Sequence, residues 1–187
     1  MALRIIGGKF KGRLLHTPKG SSTRPTQGML REAIFNICQN TIEGAQFLDL
    51  FAGSGAMGLE ALSRGALHAT FVEQNRNAIA SIYKNIEELQ ASDQTTVLAC
   101  NADTAIKRLQ GKPPFDIVYI DPPYDLGAKP FADALILQKL LAEQAFLFIE
   151  ERSRSKKLAP SFPELTWINS RQFGEALLHQ YRFHSVT

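Results

Sequence analysis

Four consecutive residues, Asp121-Pro122-Pro123-Tyr124, place a carboxylate, two prolines and an aromatic ring directly after an apolar run, 115–120. Prolines carry no backbone N–H, so this loop is stiff and offers acceptors without competing donors. Such acceptors suit the exocyclic amine of a base, and the tyrosine ring can lie on the face of that base. A stiff turn at the end of a strand is the simpler alternative for these four residues alone.

A second motif lies upstream, where an apolar run is followed by Gly53, Gly55 and Gly58 and then by a helical pattern. Strand, glycine turn and helix form the first half of a nucleotide-binding crossover, and the glycines match GxGxxG. Glu73 ends the next apolar run, at the distance expected of a carboxylate that accepts from ribose hydroxyls. A tight strand-to-helix turn explains the glycines alone, whereas strand, helix and carboxylate together favour a nucleotide-containing cofactor.

Asp49 helps to separate a dinucleotide from S-adenosylmethionine. It lies inside the predicted strand, four residues before Gly53, where a carboxylate is costly unless something uses it. A methionine ammonium, or water held by one, is a natural partner, whereas a pyrophosphate would be repelled. The Asp-Pro-Pro-Tyr loop also fits transfer to a base nitrogen better than hydride transfer. A nicotinamide oxidoreductase is therefore the weakest alternative.

With these motifs, the chain resembles a known family. Segment 49–55 is similar to the cofactor motif of class I S-adenosylmethionine-dependent methyltransferases, and segment 121–124 to the amine-gripping motif of their amino-group branch. Further segments resemble the bacterial small-subunit (16S) rRNA guanine-N2 methyltransferase D family: 4–8, 11–13, 23–26, 31–36 and 58–66. The resemblance runs from about Arg4 to about Tyr181. It is looser beyond Arg152, where it rests mainly on 173–175 and Tyr181.

This resemblance implies methyl transfer from S-adenosylmethionine to the exocyclic N2 of a specific guanine in 16S rRNA. It also implies a cytoplasmic monomer that acts on a small ribosomal subunit or its assembly intermediate. An adenine-N6 methyltransferase on DNA is an alternative, because the same loop grips either amine, but the chain has no room for a large recognition domain. A catalytically silent RNA-binding assembly factor is another alternative, which the intact loop and glycine motif disfavour.

The expected site follows from these motifs. Cofactor contacts are expected at the carboxyl ends of the strands: Asp49, Phe51, Gly53, Gly55, Glu73, Gln74, Ala102 and Asp103. Asp103 would accept from the adenine amino group, with Ala102 beside the ring, although a helix N-cap is at least as well supported for Asp103. The resemblance implies that Thr23 and Arg24 help to cover the cofactor. The expected catalytic residues are Asp121, Pro122, Pro123 and Tyr124.

The expected chemistry needs little acid–base machinery. Holding the amine in line with the methyl group is the main contribution, and orientation is worth about 7–11 kcal/mol in favourable cases. The proton can leave after methyl transfer, so no strong base is required. We also expect no metal, because the histidines are scattered and no His/Cys cluster has metal-ligand spacing.

Charge is unevenly distributed along the chain, although the formal net charge is only +3. Residues 1–31 hold seven of the 21 Lys and Arg residues and none of the 18 Asp and Glu residues. A basic arm favours a polyanionic partner, with a solvated arm as the alternative. A second basic strip, 152–157, has a solvated loop as its alternative. The expected RNA-binding residues are Arg4, Lys9, Lys11, Arg13, Lys19, Arg24, Arg152 and Arg154.

Alternating apolar runs and helical patterns predict an α/β fold with a doubly wound, mostly parallel seven-stranded sheet of the Rossmann-like methyltransferase class. Strands are expected at 46–51, 68–73, 95–100, 115–120, 144–150, 167–173 and 176–183. Helices are expected at 26–40, 56–64, 76–91, 102–110 and 129–142, and residues 3–17 as a short hairpin or extended arm. We divide the 187 residues into a basic arm, 1–25, and one catalytic domain, 26–187.

The remaining composition predicts a cytoplasmic protein. Cys38 and Cys100 are too few for a disulfide framework, and both lie in apolar patterns that favour buried thiols in a reducing compartment. The start of the chain has no secretory pattern, and no apolar run approaches the length of a membrane span.

Overall fold

The computed structural model describes residues 2–18, 25–123, 125–152 and 159–184. Seven strands form one sheet: β1 Gln46–Asp49, β2 His68–Glu73, β3 Thr95–Ala99, β4 Phe115–Ile120, β5 Leu141–Arg152, β6 Leu165–Phe173 and β7 Ala176–Phe183. Five α-helices lie in the described residues: α1 Pro25–Ile37, α2 Ala56–Ser63, α3 Arg76–Glu88, α4 Ala102–Leu109 and α5 Lys129–Leu137.

The sheet has the strand order β3-β2-β1-β4-β5-β7-β6. Strands β1 to β5 are parallel, and β7 is antiparallel to both β5 and β6. This arrangement confirms the predicted doubly wound, mostly parallel sheet with a closing hairpin. The chain reverses its direction of winding between β1 and β4, and ligands bind beyond the carboxyl ends of strands at such a switch point.

Several predicted boundaries are wrong: α1 ends at Ile37 rather than at residue 40, α3 ends at Glu88 rather than at residue 91, and the largest shift is at the end of α5. Helix α5 ends at Leu137 rather than near residue 142, and β5 begins at Leu141. Lys139 adopts a left-handed φ of 56°, and the amides of Lys139 and Leu140 bond back to the carbonyls of Ile136 and Leu135 at 2.9 and 3.0 Å. These turn-closing bonds end the helix, as in other helix C-termini with a left-handed residue. The apolar residues after Leu137 therefore belong to the start of the strand.

The helices cover both faces of the sheet. Helices α1, α2 and α3 pack on one face, and α4 and α5 pack on the other. Helix α2 lies very close to the sheet, because a Cβ on Gly58 would come within 2.3 Å of a carbon of the buried Phe71 ring. The third glycine of the motif is thus required for helix–strand packing.

The N-terminal segment forms the expected hairpin, with one antiparallel bridge between Arg4 and Leu14. Its side chains Ile5 and Leu15 are buried in the same core cluster as α1, α2 and α3. The hairpin is therefore packed against the helical layer rather than extended into solvent. The division of the chain into an arm and a catalytic domain stays a prediction.

A fully buried carboxylate, Glu60 of α2, holds this hairpin in place. Its two oxygens accept the backbone amides of Ile6 and Gly7, each at 2.8 Å. The guanidinium of Arg64 donates to it at 2.8 Å, and the Nε of Arg31 in α1 lies 3.6 Å away. One carboxylate thus joins α1, α2 and the hairpin.

We predict that Glu60→Ala lowers the free energy of unfolding by about 3–5 kcal/mol, because it leaves buried cationic and amide donors without their acceptor. Urea unfolding followed by circular dichroism measures this decrease. Glu87→Ala, at an exposed position on α3, is the matched control and should change the free energy by less than about 0.5 kcal/mol. Equal decreases in the two variants would contradict the assigned role of Glu60.

Candidate active site

Two adjoining cavities open at the carboxyl ends of the parallel strands. The first, called the α1 cavity, has a volume of about 240 Å³ and extends between the sheet and helix α1. The second, called the α4 cavity, has a volume of about 400 Å³ and extends towards the start of α4. Phe51, Gly53 and Asp121 line both cavities. A ligand can therefore pass from one cavity to the other beside the glycine loop.

The glycine loop is shaped by left-handed residues and held by a carboxylate. Gly53 and Gly55 have φ values of 53° and 81°, which glycine adopts without steric cost. The Glu73 carboxylate accepts the Gly53 amide at 2.8 Å, and its other oxygen accepts the amides of Gln74 and Asn75, each at 2.8 Å. Glu73 also lines the α4 cavity, so it organises the loop and faces the ligand space. Its predicted role towards ribose stays a prediction.

Asp49 is a buried carboxylate to which no described residue donates a hydrogen bond. It is 1% exposed, lines the α1 cavity, and neither oxygen has a hydrogen-bond partner among the described residues. Burial raises the pKa of Asp49 to about 7. The Gly58 amide opposes this shift, although it lies outside hydrogen-bonding geometry, and the charge of Glu73 adds to it. An unpartnered buried carboxylate is suited to a cation, so this position fits the ammonium of the expected cofactor.

Asp121 follows β4 and faces the junction of the cavities. It accepts no hydrogen bond from any part of the chain that the structure describes. Burial raises the pKa of Asp121 well above its ordinary value, and the charges of Glu150 and Asp49 add to this shift. The loop after it is turned by a bond from the Leu126 amide to the Pro123 carbonyl, at 3.0 Å. Pro122 and Pro123 line the α4 cavity, whereas Tyr124 lies outside the described residues.

Glu150 of β5 is a candidate residue that sequence reasoning missed. It lines the α1 cavity together with Asp121, and Oε2 of its carboxylate accepts the Tyr119 hydroxyl. Burial raises the pKa of Tyr119 well above its ordinary value, so this hydroxyl keeps its proton and donates. Burial also raises the pKa of Glu150, and the bond from Tyr119 opposes that shift. The sequence pattern that could have indicated Glu150 is its position directly after an apolar run, 145–149, just as Asp121 directly follows the apolar run 115–120.

The other predicted cofactor residues meet in the α4 cavity. Gln74, Ala102 and Asp103 line it together with Pro122. The alternative interpretation of Asp103 as a helix N-cap is wrong, because Asn101 caps α4 by accepting the Thr104 amide at 2.9 Å. Thr23 and Arg24 lie outside the described residues.

A second missed residue, Asn85 of α3, connects the hairpin to the glycine loop. It is buried, and its side chain accepts the His16 amide at 2.7 Å. The same side chain donates to the carbonyls of His16 and Ser54, each at 3.0 Å. The sequence pattern that could have indicated this residue is an asparagine on the apolar face of a predicted helix. This amide fixes the glycine loop against the hairpin.

The predicted RNA-binding residues are not all near the cavities. The ends of the hairpin line the α1 cavity through Leu3, Thr17 and Pro18. Its tip lies at the opposite end of α2, where the Lys9 amide bonds to the Ser63 carbonyl at 2.7 Å. This placement follows from the anchoring of the hairpin by the buried Ile5 and Leu15 side chains.

The basic side chains of the hairpin contact neighbouring elements. Lys9 donates to Gln94 at 3.0 Å, Arg13 to the Glu88 carbonyl at 2.9 Å, and Arg4 to the Gly12 carbonyl at 2.9 Å. Lys11 is exposed. At the end of β5, Arg152 pairs with Glu175 at 3.3 Å. The predicted RNA-binding residues Lys19 and Arg154 lie outside the described residues, as do the lysines at 156–157 of the second basic strip.

Several expectations concern features elsewhere in the molecule. Cys38 is buried and burial raises its pKa to about 12, whereas Cys100 is only partly buried because it borders the α4 cavity. Among the described residues, no three His, Cys, Asp or Glu side chains are grouped to hold a metal ion. None of the helices in the described ranges is both long and apolar enough to span a membrane.

Comparisons with known proteins agree with this architecture. The family described as "Conserved hypothetical protein 95" matches residues 3–182. Ribosomal RNA small subunit methyltransferase D of Escherichia coli (strain K12) is 39% identical over 149 residues, which cover 79% of this chain and 74% of that protein. Putative rRNA methyltransferase YlbH of Bacillus subtilis (strain 168) is 34% identical over 177 residues, which cover 92% of this chain and 94% of that protein. The solved structure of putative methyltransferase yhhF from Escherichia coli is 34% identical, covers 100% of both chains, and superposes with a TM-score of 0.89.

The unpartnered Asp49 predicts a pH-dependent affinity for S-adenosylmethionine, the cofactor expected from the sequence. Because a bound ammonium favours the ionised carboxylate, the affinity should rise as the pH rises from 5.5 to 7.5, through the raised pKa of about 7. Asp49→Asn should bind about 10- to 100-fold more weakly at pH 7.5, the effect of removing one charged hydrogen bond, and should show little of this pH dependence. Calorimetric titration measures both effects. Asp93→Asn, at an exposed position, is the control, and an unchanged pH profile in Asp49→Asn would contradict the assignment.

Proposed function

The chain belongs to the conserved hypothetical protein 95 family, and on that premise we propose that it is an S-adenosylmethionine-dependent rRNA methyltransferase acting on the exocyclic N2 of a guanine. The observation that carries this proposal is a pair of acidic acceptors: Asp49, whose two buried oxygens have no hydrogen-bond partner among the described residues, lines the α1 cavity, and Asp121 lines both cavities. Relatives named ribosomal RNA small subunit methyltransferase D support 16S rRNA as the substrate. We place the reaction in a cytoplasmic small ribosomal subunit or its assembly intermediate, with the protein acting as a monomer.

The α4 cavity is suited to the adenosine part of the cofactor. Asp103 offers an acceptor for an amino group, Ala102 offers a small apolar contact, and Glu73 offers acceptors for hydroxyls. Asp49, in the adjoining α1 cavity, would pair its carboxylate with the ammonium of the methionine part. When bound, S-adenosylmethionine supplies an electrophilic methyl group on its sulfonium.

Asp121 and the Pro122 carbonyl hold the target amine. Each offers an acceptor for one N–H of that amine, and together they direct the nitrogen lone pair towards the cofactor. The nitrogen would receive the methyl group that the sulfonium supplies, S-adenosylhomocysteine would be left as the product, and the nitrogen would then release its proton to solvent. The chain contributes mainly orientation, which is worth about 7–11 kcal/mol in favourable cases.

The hairpin supplies a basic surface for RNA beyond the target nucleotide. Its ends border the α1 cavity, and its tip lies one helix away, since α2 spans about 12 Å at 1.5 Å per residue. Phosphates of the same RNA therefore reach Lys9, Lys11 and Arg13 only if the RNA extends along α2. This placement favours a large structured substrate over a short oligonucleotide.

We predict that Asp121→Ala lowers the rate of rRNA methylation by about 100-fold or more, while the affinity for S-adenosylmethionine changes little, because the substitution removes an acceptor for the target amine. Methylation of small subunits from a strain lacking the protein, followed by mass spectrometry of the modified nucleotide, gives the rate and the product. Asp125→Ala, an exposed carboxylate in the same loop, is the control.

The outcomes of this experiment separate the alternatives. N2-methylguanine as the product supports the proposal, and N6-methyladenine contradicts it. Full activity in Asp121→Ala contradicts the catalytic role of Asp121. Absence of any methylation by the wild-type protein, together with tight rRNA binding, would favour a silent assembly factor.

Neutralising the hairpin should reduce the salt dependence of rRNA binding. Deletion of residues 1–20 is unsuitable, because it would remove the buried Ile5 and Leu15 side chains. We predict instead that replacing Lys9, Lys11 and Arg13 by glutamine lowers the slope of log affinity against log salt by about 0.7–0.9 for each phosphate that the hairpin no longer neutralises. Filter binding at several salt concentrations measures the slope. Lys107→Gln, exposed on α4 at the other face of the sheet, is the control, and an unchanged slope in the triple variant would show that the hairpin does not bind RNA.

A further inference from the structure

Two acidic residues lie on neighbouring strand ends: Asp121 directly follows β4, and Glu150 lies in β5. We propose that Glu150 accepts the N1–H of the target guanine and so selects guanine over adenine, an inference that rests on the proposed function above. Asp121 takes the exocyclic amine, and Glu150 takes the neighbouring donor on the same edge of the base. Glu150 is thus a specificity-determining residue in contact with the substrate.

The strand register places these two acids side by side. In the parallel pair of β4 and β5, Ile120 lies opposite Ile149, so Asp121 and Glu150 occupy the next positions on the two chains. Adjacent strands are about 4.8 Å apart. Both side chains line the α1 cavity, so they point to the same side of the sheet.

One oxygen of the Glu150 carboxylate is held by a hydrogen bond, and the other can accept one from a ligand. The Tyr119 hydroxyl donates to Oε2, whereas Oε1 accepts no hydrogen bond from the described residues. The nearby guanidinium of Arg31 also lines the cavity, but it donates to the Arg4 carbonyl at 2.6 Å and lies beside Glu60. The carboxylate is therefore oriented by Tyr119 and keeps an acceptor for a ligand.

The donor pattern of guanine matches this pair of acceptors. Its Watson–Crick edge presents N1–H beside the N2 amine, which are adjacent donors. Adenine presents its N6 amine beside N1, which carries a lone pair. An ionised Glu150 opposite adenine N1 would place lone pair against lone pair, and such unfavourable contacts create specificity. Asp121 alone accepts either amine, so the choice between bases falls to Glu150.

The test uses 2-aminopurine, which keeps the 2-amino group of guanine but has a lone pair at N1. Ligated small-subunit rRNA carries guanine or 2-aminopurine at the nucleotide that product mapping identifies. The wild-type protein should methylate guanine about 10- to 100-fold faster than 2-aminopurine, the discrimination expected of one well-placed base contact. In Glu150→Gln the ratio should fall towards one, because an amide donates to the lone pair as readily as it accepts from N1–H.

Two further variants and a binding measurement isolate the contact. Tyr119→Phe should lower the ratio partly, since it releases the carboxylate without removing it. Glu151→Gln, the same change one residue along β5 with its side chain towards the other face, should keep the wild-type ratio. The fluorescence of 2-aminopurine reports capture of the base without turnover, and its change on binding should be larger for Glu150→Gln than for wild type. Thermal melts establish that each variant is folded.

The outcomes are distinct for the two proposals. A ratio in Glu150→Gln equal to that of wild type overturns the role of Glu150, including the case in which both rates fall together, as removal of a general base or a structural partner would produce. Wild-type protein that methylates no guanine N2 overturns the proposed function, and this inference with it. Wild-type N2 methylation with an unchanged ratio in Glu150→Gln overturns the inference alone.

Discussion

The buried Glu60 carboxylate is the interaction on which the arrangement of the site depends. A charge in the core is stable only with partners, and the Glu60 carboxylate takes them from the hairpin amides and from Arg64, with Arg31 of α1 beside it. Helix α2, which carries Glu60, begins at the glycine loop. Satisfying this single carboxylate therefore fixes α1 and the hairpin over the sheet, and these elements form the outer wall of the α1 cavity.

The acidic residues of the site differ from Glu60, because they are buried without a full set of hydrogen-bond donors from the described residues. Asp49 and Asp121 lie at the carboxyl ends of parallel strands, largely shielded from solvent, and no described residue donates to them. Among the described residues, only the Tyr119 hydroxyl donates to Glu150, and it bonds to a single oxygen of the carboxylate. Burial raises the pKa values of all three acids, and the charges of neighbouring carboxylates add to the shifts of Asp49 and Asp121. A cationic cofactor would supply a positive charge to these carboxylates, and a base edge rich in donors would supply hydrogen bonds. Binding of both would therefore stabilise the ionised acids.

The hairpin connects these two parts of the structure. Asn85 bonds both to His16 at the end of the hairpin and to Ser54 in the glycine loop, so the cover of the cavity and the cofactor loop are held by one amide. A basic segment proposed to bind RNA at its tip is thereby mechanically joined to the site. The same segment packs its buried Ile5 and Leu15 side chains against the helical layer.

The sequence by itself determined the elements and the motifs, because both are local. Apolar periodicity located all seven strands, and residues 49–55 and 121–124 indicated the family and the edge of the sheet that carries the site. Tertiary structure decided what depends on register and burial. The pairing of Ile120 with Ile149 brings Glu150 beside Asp121, although 29 positions separate them in the sequence. The buried Ile5 and Leu15 direct the basic tip of the hairpin away from the cavity, and the left-handed Lys139 ends α5 early. These outcomes depend on contacts between segments that are far apart in the sequence. A local pattern of residues therefore does not predict them.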